Sequence, residues 1–200
     1  MAMNKINFTN GVTPVSASTF NSFQDNIDAM FTGDNSMGKI SVEDIECKNL
    51  LPLANTTFTS KGRTYNLSNG TFSVSGTSTG ENTIDLIKGV RLGAYTSNMV
   101  LAYDNSIFVK AGVYTLSADG TGVQIYFLFG NIGDTSTTGT RGSLNLTTQN
   151  KSITITIPNN CYIMFAIYDY KTDGTSYSVS NIQFEKGSSA TEYTEFKKYG

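Results

Sequence analysis

The sequence predicts an all-β protein, an antiparallel sandwich preceded by one short N-terminal α-helix, and three observations carry that expectation. Beyond residue 39, apolar and polar residues alternate in one short run after another, the period of half-buried strands. The composition is Thr-, Ser-, Asn- and Gly-rich, with 12% aromatic and only 15% charged residues, which suits many strands joined by polar turns. A good helical period occurs once, near the N-terminus. The aromatic content and a net charge of −2 also exclude a disordered chain. Its 200 residues suffice for one domain with a real core plus a short accessory segment.

The first element is the helix, expected over about 16–32. Phe20, Phe23, Ile27 and Met30 follow Pro14 at the a/d spacing of two heptads. Ser16 is placed to cap the free N–H groups, Val15 to pack on Phe20 as a hydrophobic staple, and Gly33 to stop the helix. A helix of this length is marginal alone in water, so its apolar stripe must be buried. Two readings are open, docking on its own domain or self-association as a parallel bundle of three chains. Its isolation at the terminus, ahead of a Gly-rich stretch, favours the trimer. Residues 1–33 are thus an attachment or trimerisation segment, and 34–48 a β linker with alternation at Ile40 and Val42.

The main domain, 49–200, opens at Asn49-Leu50-Leu51-Pro52. Strands are expected at Thr71 to Ser75, at Met99 to Tyr103 and Ile107 to Lys110 around an Asp104-Asn105 hairpin turn, and at Val113 to Ala118 before Asp119-Gly120. Val123 to Phe129 points Ile125, Phe127 and Phe129 one way. Ile153, Ile155 and Ile157 alternate with threonines until Pro158. Cys161 to Tyr170 and Tyr177 to Glu185 flank an Asp173-Gly174 turn. Val179 and Ile182 are out of phase there, which predicts a bulge at Ser180-Asn181. Gly130 to Gly133 and Gly139 to Gly142 read as loop glycines. All three prolines fall at element boundaries. Eight or nine strands with no intervening helix make an antiparallel jelly-roll sandwich.

Two stretches, Lys48-Asn49-Leu50-Leu51 and the closing Ile182-Gln183-Phe184-Glu185-Lys186-Gly187-Ser188-Ser189-Ala190-Thr191-Glu192-Tyr193, resemble the ends of a carbohydrate-binding-module-like jelly roll. Domains of that type occur in tail-fibre and baseplate receptor-binding proteins of phages, especially those of Gram-positive hosts. Lys110-Ala111-Gly112-Val113-Tyr114-Thr115-Leu116-Ser117 looks like an internal strand of the same domains, and Asn10 to Asn21 is similar to the attachment segment of phage fibre proteins. The resemblance implies a virion protein made in a bacterial cytoplasm and released by lysis. It would be a homotrimer joined to other virion proteins through its N-terminal segment; such jelly rolls serve as readers of host surface glycans, as trimeric spacers and as particle decoration, and the fold does not choose among these. It transfers no individual binding residue.

The chemistry available narrows the function. There is no His, which removes the usual general base, the Ser-His-Asp arrangement and most zinc sites. The acids lie mostly in turns (Asp104, Asp119, Asp134, Asp173) or near the C-terminus (Glu192, Glu195), where they read as solvated charges rather than a glycosidase pair. A non-enzymatic role is expected. The 14 basic residues are scattered, which argues against nucleic acid. No apolar run approaches a membrane span and no secretory leader is recognisable. Cys47 and Cys161 read as packed thiols. No cofactor is expected; turn oxygens would suit a structural calcium ion, although no EF-hand loop is present.

Sugar binding needs an aromatic face for C–H surfaces and amides or carboxylates for hydroxyls. If Ile125, Phe127 and Phe129 face the core, Gln124 and Tyr126 face outward. If Ile163, Phe165 and Ile167 do likewise, Tyr162, Tyr168 and Tyr170 share the outer face. These five are the candidate glycan-binding residues. The alternative is that the same tyrosines pack between subunits.

Overall fold

The alternating runs become strands because one face of each can be buried against a second sheet. The structure, a computed structural model, describes residues 48–171 and 173–197. The expected helix, with Phe20, Phe23, Ile27 and Met30, and the linker up to 47 lie outside the described residues.

Twelve strands are described: β1 (Thr56–Ser60), β2 (Arg63–Ser68), β3 (Thr71–Ser75), β4 (Asn82–Asp85), β5 (Arg91–Gly93), β6 (Ile107–Val109), β7 (Gly112–Asp119), β8 (Val123–Gly130), β9 (Thr140–Leu146), β10 (Ser152–Ile157), β11 (Cys161–Asp169) and β12 (Tyr177–Lys186). They form two antiparallel sheets, one in the order β1-β2-β3-β12-β7-β10. The other runs β5-β4-β11-β8-β9, with β6 also paired to β11. The inner faces meet in one apolar core. Tyr65, Phe72, Leu116 and Phe184 come from the first sheet, and Ile84, Ile125, Ile163 and Phe165 from the second. The rings of Phe165 and Phe184 touch across the gap, 4.9 Å between centroids.

Several sequence expectations are met strand by strand. Ile125, Phe127 and Phe129 all enter the core, as do Ile155 and Ile157. The bulge lies where the phase slips. Register is lost between Ser180 and Gln183, and Asn181 takes a left-handed φ of 53°.

Other expectations are corrected. Residues 99–103 form no strand and no hairpin with β6. Asn105 instead closes a local turn, its side chain accepting from the Ala102 N–H and donating to the Val100 carbonyl. Thr140, Arg141 and Gly142 belong to β9 rather than to a loop. Gly142 is opposite Phe127, and a methyl there would overlap the phenyl ring, so the glycine makes room for an aromatic in the core. Strands β1, β2, β4, β5 and β9 were not anticipated. The β2–β3 hairpin turns on Asn69-Gly70, both with positive φ, the pair that a two-residue turn of this hand favours.

The closing motif has a structural explanation. Gln183 and Glu185 point away from the core yet are buried, because residues 188–196 run back over them as a strap. The Gln183 side-chain Oε1 accepts from the Thr194 N–H at 2.8 Å, and its Nε2 donates to the Glu185 carboxylate. Glu185 also accepts from the N–H and hydroxyl of Thr191. The strap in turn meets the start of the domain, where the Lys48 ammonium donates to the Glu192 carbonyl. Leu50 donates its N–H to the Phe184 carbonyl at 2.7 Å.

Candidate functional site

The outer face of the second sheet is built from the residues left over once Ile125, Phe127, Ile163, Phe165 and Ile167 turn inward. On β8 these are Gln124, Tyr126 and Leu128; on β11 they are Tyr162, Met164, Ala166 and Tyr168. The middle of that face is covered. Leu128, Met164 and Ala166 are fully buried beneath Met99 and Leu101. The covering segment is held by backbone bonds from Leu101 to Asp134 and from Gly133 back to Leu101, and by a bridge between Val100 and Thr135.

This cover divides the five candidate residues. Gln124, Tyr126, Tyr168 and Tyr170 gather at one end. Tyr126 and Tyr168 meet edge to face at 6.4 Å, Tyr168 and Tyr170 lie 5.8 Å apart, and the Tyr126 hydroxyl donates to the Gln124 side chain at 2.6 Å. Tyr162 is at the other end of β11, edge-on to Tyr103 and Phe108, both well exposed. It is not part of the same cluster.

Two members of the cluster escaped the sequence reading. Glu81 lies two residues before Thr83, the register partner of Tyr168, and so shares its face. The alternation Glu81-Thr83-Asp85 was a usable signal. Tyr95 comes from the loop after β5 and is 59% exposed, and nothing local in the sequence placed it there. Burial and then the neighbouring Glu81 carboxylate push the Tyr168 phenol up to about 12, with smaller contributions from Tyr95 and Tyr126. The phenol therefore stays protonated and able to donate across the physiological range. Together these groups form an open platform. Its ring faces suit C–H surfaces, and a carboxylate, an amide and several phenols suit hydroxyls.

The platform rests on a buried polar network that spans both sheets. Arg63 and Asp169 are both fully buried, with Nε and Oδ2 at 3.1 Å. The Tyr65 hydroxyl donates to the same carboxylate oxygen at 2.8 Å and accepts from the Asn82 amide at 2.6 Å. Arg63 also donates to the carbonyls of Lys171 and Thr175, fixing the loop that follows Tyr170. Burial, then Asp169, raises the Tyr65 phenol far above its ordinary range; burial and the same carboxylate do so for Tyr177.

No family model matches this chain, and neither a curated protein nor a solved structure matches it. Among the described residues, no helix is long and apolar enough to cross a membrane. Among them, too, no three His, Cys, Asp or Glu side chains group as a metal site would require. Cys161 is a buried thiol, raised by burial; Cys47 lies outside the described residues.

Proposed function

We propose that the chain is a non-enzymatic virion protein of a bacterial virus, a short fibre or receptor-binding subunit whose sandwich is a jelly roll that attaches to host surface glycans. The observation that carries the glycan half is the platform of Tyr95, Tyr126, Tyr168 and Tyr170 beside Glu81 and Gln124, with two ring contacts and a phenol–amide bond already formed. The sequence resemblance supports the virion half, and the Phe20/Phe23/Ile27/Met30 seam supports a homotrimer anchored through its N-terminal segment. Three weak sites on one base would attach by avidity, provided they reach the surface together.

The test is sedimentation of the full chain with purified host-wall polysaccharide and with whole cells. Tyr126→Ala and Tyr168→Ala are expected to weaken capture about tenfold or more, the scale of losing one stacking or hydrogen-bonding anchor, and Tyr162→Ala to leave it unchanged. Equal loss in all three, or no capture by the wild type, would refute the platform.

A second reading, a purely structural fibre or adaptor, is favoured by one feature. Tyr103 and Phe108 are 75% and 56% exposed around Tyr162, a patch suited to packing between subunits.

A further inference from the structure

A concavity lies on the outer face of the other sheet. It has a volume of about 560 Å³, within the range of small-ligand sites, and is walled by the end of β7, the start of β10, the β12 bulge and the C-terminal strap. We propose that this cleft is a separate binding site for an uncharged saccharide with adjacent hydroxyl groups, held by Asp119, Asn181 and Lys151 against the ring of Tyr193.

The polar wall is organised before any ligand arrives. Asp119 ends β7 on the outward parity, and its Oδ2 accepts from the Asn181 amide at 2.8 Å. Its Oδ1 lies 3.9 Å from the Lys151 ammonium, which donates to the Gly120 carbonyl at 3.0 Å. A carboxylate accepts about four hydrogen bonds and an amide offers two donors and an acceptor, so capacity remains for the hydroxyls of a ligand. Neighbouring sugar hydroxyls each donate and accept, which an adjoining carboxylate, amide and ammonium answer. Asn181 reaches this position only because the bulge puts it at a φ of 53°, a conformation that bulges use to re-aim a side chain.

The opposite wall is equally fixed. The Tyr193 hydroxyl lodges over Gly70, where even a methyl group would collide with it. Two residues earlier, Thr191 is tied to buried Glu185 by its N–H and its hydroxyl. The ring is therefore anchored at its hydroxyl end, and a wall placed in advance lowers the ordering cost of stacking a sugar face. Asp119 and Glu192 outnumber Lys151 along the lining, which disfavours acidic glycans. The site does not depend on the tyrosine platform across the sandwich.

The test uses ligand-observed saturation-transfer NMR on the full chain, with glucose, galactose, N-acetylglucosamine and rhamnose as separate millimolar probes. Transfer to at least one probe is expected. With the tyrosine platform disabled by Tyr168→Ala, Asn181→Gly, which preserves the left-handed backbone, and Asp119→Asn should each weaken that probe about tenfold. In the Tyr168→Ala chain, transfer to none of the four, or transfer that survives both cleft variants, would overturn the proposal.

Discussion

Replacing Arg63 by Met tests the buried network most directly. The substitution keeps most of the apolar stem, so little cavity opens, but it strands the Asp169 carboxylate in a site with no exposure. It also withdraws the donors to the Lys171 and Thr175 carbonyls. Breaking a buried pair from one side costs about 3–5 kcal/mol, against a total domain stability of roughly 5–15 kcal/mol. At about 2–4 °C per kcal/mol for a domain of this size, the melting temperature should fall by roughly 6–20 °C. Adding Asp169→Asn removes the stranded charge while keeping an acceptor for Tyr65, and should recover roughly 1–3 kcal/mol. Urea unfolding followed by far-UV circular dichroism measures both. A loss below about 1 kcal/mol, or a double variant no more stable than the single, would refute the reasoning.

Burial pushes the Asp85 carboxyl up to about 6, against the opposing N–H groups of Lys88 and Ile87. Its contribution is full below its ordinary 3.8 and is lost as pH climbs through about 6; Asp85→Asn should flatten that part of the melting profile, and an unchanged profile would count against it. Gly142→Ala forces a methyl into the Phe127 ring and should cost about 1–3 kcal/mol in urea unfolding, much of it recovered by Phe127→Leu. In light scattering the full chain should have a mass near three times 21.6 kDa and fall to a monomer once residues 1–33 are removed. A head that stays trimeric would move assembly into the sandwich.

The parts of the fold legible in the sequence are those where one strand declares its own inward face. Ile153, Ile155 and Ile157 are such a case, and the phase slip before Ile182 marked the bulge for the same reason. β2 was hidden because its first inward residue is Arg63, buried only through partners more than a hundred positions away, at Asp169, Lys171 and Thr175. β9 was hidden by Gly142, which makes sense only beside Phe127. Met99 and Leu101 do alternate, but they pack over Leu128 and Met164 instead of pairing as a strand, so period two was read correctly and assigned to the wrong structure. The candidate platform was half legible. Outward parity found Tyr126 and Tyr168, but the same parity joined Tyr162 to them, because a covering segment from another part of the chain leaves no local trace.

The contact between the Lys48 ammonium and the Glu192 carbonyl has a bearing on chain order. Because the two ends of the sandwich are held side by side, a short polar linker could join them without disturbing either ladder, and new ends could be opened elsewhere. The exposed turn at Gln149-Asn150, between β9 and β10, is a suitable place for the cut. Such a circular permutant should fold to the same sandwich, which would make the architecture a property of its packing and pairing rather than of the order in which the strands are synthesised.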